Sequence, residues 1–88
     1  MTEIQLSIAF QDAAKLRQKK QLDYGGIREY FPFGAKSYCH EINKKVTRLI
    51  NLIKDGKKPA NESIEDNLLD LINYASYYYE WQKGVLDE

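Results

Sequence analysis

Hydrophobic and polar positions alternate along this chain with the period of α-helices, in three blocks. The clearest block runs from Asn61 to Trp81, with no Pro and no Gly before Gly84. At about 100° per residue, Ile64, Leu68, Leu69, Leu71, Ile72, Ala75, Tyr78 and Tyr79 form one broad apolar face, expected to pack inward. A second block carries Ile42, Val46, Leu49, Ile50 and Ile53 at i, i+4, i+7, i+8 and i+11. It predicts a helix over 37–55 that Gly56 ends as a C-terminal cap. The first block offers Leu6, Phe10, Ala13 and Leu16 behind a capping box at Thr2–Gln5, predicting a helix over about 3–21.

The segments between the blocks complete the outline. Lys57–Ala60 is a short turn and Asn61 can cap the third helix, so the second and third helices are expected to be antiparallel neighbours. Gly25-Gly26 ends the first helix, and 22–36 reads as an aromatic, glycine-containing loop. Its rings, Tyr24, Tyr30, Phe31 and Phe33, either cover one end of a small core or form a lid over a ligand. The prediction is a single all-α domain, a three-helix unit over residues 1–88. Tyr74, Tyr77, Tyr78, Tyr79 and Trp81 point in too many directions for one such unit to bury, so self-association into a homo-oligomer is expected.

Charge changes this picture locally. The 13 Lys and Arg balance 13 Asp and Glu, which argues against a general nucleic-acid binder. On the third helix, however, Glu62, Asp66, Asp70 and Asn73 share an arc of about 80°. Like charges at this spacing repel, so the stripe anticipates something cationic: a metal ion, or basic side chains of another helix. Lys45 and Arg48 of the second helix can reach the Asp66–Asp70 region. Lys15, Arg17, Lys19 and Lys20 crowd the end of the first helix, where they complement its dipole or face an anion.

The single Cys39 permits no internal disulfide or zinc framework, and His40 beside it points about 100° away, unsuited to a nucleophile–base pair. No signal peptide and no membrane-spanning apolar run is evident, so a cytoplasmic, membrane-free setting is expected.

Three pieces occur in one order: Lys20-Gln-Leu-Asp23-Tyr24-Gly25, Lys45-Val-Thr-Arg48-Leu49, and Glu62-Ser63-Ile-Glu-Asp66-Asn-Leu-Leu-Asp70-Leu-Ile-Asn73-Tyr74-Ala75. Together they resemble the nucleotide modification associated domain, type 1, a family frequent in phages and bacteria. The resemblance covers roughly residues 13–76 and implies a nucleotide-related role, in a bacterial host cell if the chain is phage-encoded. That family is in turn similar to the all-α nucleotide pyrophosphohydrolases of the MazG type, which hold magnesium between acidic helices.

Three readings follow. In the first, Lys20, Asp23, Tyr24, Lys45, Arg48 and Asn73 bind a nucleotide or nucleotide-derived small molecule without chemistry. In the second, Glu62, Asp66 and Asp70 hold Mg²⁺ for phosphoanhydride cleavage, with Glu62 or Glu65 activating water. Here the second helix contributes only Glu41, so half of the two-helix acidic motif is missing. In the third, Lys45 and Arg48 pair with Asp66 and Asp70 as a structural network, in a protein that acts on a protein partner.

Overall fold

The structure, a computed structural model, describes residues 6–24, 27–55 and 64–85. The described residues form four helices and no strand: α1 (Ile8–Tyr24), the single turn α2 (Ile27–Tyr30), α3 (Ala35–Asp55) and α4 (Ile64–Lys83). The fold is all-α. No helix among these residues is long and apolar enough to cross a membrane.

Local chemistry explains where the helices begin and end. α1 starts later than residue 3 because Ser7 caps it: the Phe10 amide donates to Ser7 Oγ at 3.3 Å, and the Gln11 amide to the Ser7 carbonyl at 3.0 Å. The capping box at Thr2–Gln5 lies outside the described residues. The aromatic segment is not loop throughout, since Ile27–Tyr30 closes a helical turn through the Phe31 amide and the Ile27 carbonyl, 2.9 Å apart.

Gly34 then turns the chain into α3 with φ of 57°. A Cβ at this position would sit 2.8 Å from the Trp81 ring, so glycine is required both by conformation and by space. α4 ends in a Schellman motif. Gly84, with φ of 74°, donates to the Trp81 carbonyl and Val85 donates to that of Glu80.

α4 is the central helix, packing against α3 on one side and α1 on another. Tyr38 stacks on Tyr78 near one end of the α3–α4 pair while Lys45 meets Asp70 in its middle, so the two helices run antiparallel. At the Tyr38 end Ile27, Phe31, Tyr38, Tyr74 and Tyr77 form a buried cluster, flanked by Ile42, Tyr78 and Trp81. Phe31 stacks on Tyr38 at 4.5 Å and meets Tyr74 edge-on, so α2 serves to insert one ring into this core.

The face of α4 that turns inward differs from the one its apolar periodicity predicts. Asn67, Asp70, Asn73, Tyr74 and Tyr77 are buried, whereas Ile64, Leu68, Ala75 and Tyr79 are exposed. The apolar stripe of α3 is similarly displaced: Val46, Ile50 and Ile53 face outward, while Tyr38 and Lys45 are buried. Asp70 meets Lys20 of α1 and Lys45 of α3, Asn73 meets the Ala13 carbonyl of α1, and large aromatic rings supply the apolar contacts.

Candidate functional site

The polar part of this core centres on Asp70. α4 carries it at mid-helix, and its two oxygens face different partners: Lys20 Nζ donates to Oδ1 at 3.1 Å and Lys45 Nζ to Oδ2 at 2.9 Å. Three helices thus meet through one carboxylate. The side chains of Asp70 and Lys45 are 5% and 8% exposed, whereas that of Lys20 is 34% exposed, so the site opens to solvent on the α1 side. In such a dry setting the attraction is much stronger than at a surface, and so is the cost of losing a partner.

One turn on, Asn73 Nδ2 donates to the Ala13 carbonyl at 3.0 Å, tying α1 to α4. One turn before, Asn67 is wholly buried. Of the remaining sequence candidates, Arg48 and Asp66 lie at the surface of α3 and α4. Asp23 and Tyr24 close α1, but their side chains, like all of Glu62, lie outside what the structure describes.

A second polar cluster lies two turns further along α4. The Arg17 guanidinium makes a two-pronged pair with Glu80, at 2.6 and 2.9 Å, donates to Ser76 Oγ at 2.8 Å, and lies over the Tyr77 ring at 4.3 Å. Hydrogen bonding from Arg17 holds the Glu80 carboxyl below its ordinary range, and the Glu80 carboxylate raises the guanidinium in turn.

A carboxyl depressed in the folded state adds stability above its unfolded pKa, and loses it as pH falls through the folded value. Glu80→Gln is therefore expected to lower Tm at neutral pH. The gap from the native chain should close on acidification below the ordinary glutamate range, as thermal melts across that range would record. A constant gap would mean that the ion pair contributes nothing.

Sequence reasoning placed Lys45 near Asp70 and singled out Lys20 and Asn73. It did not pair Lys20 with Asp70, and it missed Asn67, Arg17 and Glu80 as core partners. One signal was available: Asn67, Asp70, Asn73, Tyr74 and Tyr77 recur at helical spacing, as a buried stripe would.

Magnesium can be tested against these residues. Both Asp70 oxygens face ammonium groups, and among the described residues no group of three His, Cys, Asp or Glu could hold a metal ion. Asp70 as arranged does not fit a divalent cation, which two lysines at that distance would repel.

The described residues form an all-α unit whose core holds a carboxylate clasped by two lysines. Residues 20–77 match the nucleotide modification associated domain 1, and the chain belongs to that family. The match runs from Lys20 to Tyr77 and contains Lys45, Asn67, Asp70 and Asn73; Arg17 and Glu80 lie just outside it. No curated protein and no solved structure matches the chain.

Proposed function

We propose that the chain binds a nucleotide or nucleotide-derived small molecule, with Lys20 and Lys45 facing its phosphate. The observation that carries this reading is the convergence of two ammonium groups from different helices on one carboxylate, inside the segment that matches the family. Asp70 holds both amines in place, so an arriving phosphate meets preorientated donors rather than mobile side chains. Lys20, the more exposed of the two, is the entry point. Arg48 adds a further cation at the surface of α3.

A second reading makes the triad purely structural, with the protein acting on a protein partner, and the burial of Lys45 favours it. The two separate at Lys20. Charge-assisted hydrogen bonds contribute about 1.5–3 kcal/mol, so Lys20→Gln is expected to weaken nucleotide binding by roughly tenfold or more.

The experiment is calorimetric titration of nucleotides and cyclic or ADP-ribose-type signals, with and without Mg²⁺, into the native chain and Lys20→Gln. Affinity that falls in a variant that is still folded at the titration temperature, as its circular dichroism melt records, supports the site. Absence of binding by every such ligand overturns it. Affinity that requires Mg²⁺, together with release of pyrophosphate, would move the reading to a hydrolase.

A further inference from the structure

We infer that the solvent face of α3 binds a single strand of nucleic acid, holding its phosphates along a basic ridge and stacking a base on Phe33. The inference does not depend on the nucleotide reading. Overall neutrality conceals a local separation of charge. Among the described side chains of α3, every exposed charge is basic: Lys36, Lys44, Arg48 and Lys54. Lys36, His40, Lys44 and Arg48 stand at i, i+4, i+8 and i+12, a continuous ridge with one basic side chain about every 6 Å. Asn43, Thr47 and Asn51 form the next ridge, and a shallow groove runs between the two. All seven residues are exposed, whereas Tyr38 and Lys45 mark the inward side of the same helix.

The make-up of this face identifies its ligand. Lysine and arginine interleaved with amide and hydroxyl side chains is the donor set that contacts phosphate and sugar. A lipid surface would also require apolar anchors, and neither ridge contains one. Glu41, partly buried on the flank of the basic ridge, pairs with Lys44 at 3.3 Å. An ammonium has three donors and a guanidinium five, so each can serve a phosphate besides its protein partners.

Phe33 stands at the head of the ridge, three residues before Lys36. It is 77% exposed, yet its amide donates to Ser37 Oγ at 2.9 Å, which fixes the backbone against the first turn of α3. A ring is thus held in water on an anchored backbone, next to a row of cations. Every base has a π-face, so such a ring stacks on a single strand without sequence preference, while a paired duplex offers it no open base.

Fluorescence anisotropy with a labelled single strand of thymidines, titrated across salt concentrations, is the test. The native chain is expected to bind with a slope of log affinity against log salt of about −2, since three ridge cations contribute about 0.7 each. Lys44→Gln should make that slope shallower by about 0.7. Phe33→Ala should weaken binding by about tenfold and leave the slope unchanged. Lys15→Glu, an exposed position on α1, should bind like the native chain. Circular dichroism of each variant should match that of the native chain. Absence of binding by the native chain, a slope that Lys44→Gln leaves unaltered, or an equal loss in Lys15→Glu overturns the ridge. Displacement by polyglutamate as readily as by unlabelled strand overturns nucleic acid as the ligand. A duplex of the same length bound as tightly, with Phe33→Ala silent, overturns the single strand.

Discussion

Asp70→Ala is expected to remove much of the stability of this protein. The carboxylate is buried and accepts from Lys20 and from the equally buried Lys45. Removing one side of a buried pair leaves the other charge in a poor solvent, at a typical cost of 3–5 kcal/mol. A domain of this size has on the order of 5–15 kcal/mol in total, so the loss should appear as a large drop in the urea midpoint. The physical cause can be isolated by changing both partners. Asp70→Leu with Lys45→Met substitutes apolar volume for the pair, and should recover much of what Asp70→Ala loses. A cost below about 1 kcal/mol for Asp70→Ala would be that of a solvated surface pair, and would contradict the burial described here.

Phe31→Ala is expected to cost a similar amount, about 3–5 kcal/mol, whereas Phe33→Ala should be nearly silent. Phe31 is 2% exposed and touches Tyr30, Tyr38, Tyr74 and Tyr77. Its deletion empties the centre of the aromatic cluster and releases α2, which that ring fastens to the core. Phe33, two residues on, is 77% exposed. Equilibrium unfolding of the two variants side by side gives the comparison. Equal effects would mean that the segment after α2 packs differently.

This pair of phenylalanines shows what a sequence can carry. Around Pro32 the two rings are chemically equivalent, and a reading of the segment as either a cover over the core or a lid gives no means of choosing between them. The choice depends on the one-turn helix Ile27–Tyr30, which rotates Phe31 inward, and on Gly34, whose left-handed conformation lets the chain pass against Trp81. Neither is set by local periodicity.

The helical stripes teach the converse lesson. Apolar spacing correctly marked α3 and α4 as helices, since spacing is a local property of 3.6 residues per turn. It misassigned their inward faces, because a polar stripe can turn inward when partners from other helices satisfy it. Asn73 finds the Ala13 carbonyl and Asp70 finds two lysines, contacts that span 60, 50 and 25 positions of the chain. The two longer separations leave no trace in a window of neighbouring residues, whereas the short connection between α3 and α4 brings Lys45 within reach of Asp70.

By itself, then, the sequence determined the helical class, the antiparallel arrangement of the last two long helices, the family, and a meeting of lysine with the acidic stripe. Each depends on short-range periodicity, on a short connection or on a motif. The tertiary structure alone decided that Asp70 clasps Lys20 as well as Lys45, that Arg17 locks onto Glu80, and that Val46, Ile50 and Ile53 of α3 and Ile64 and Leu68 of α4 remain outside. These follow from how three helices rotate about their axes when packed. That rotation is set by the balance of polar satisfaction and ring packing over the whole core.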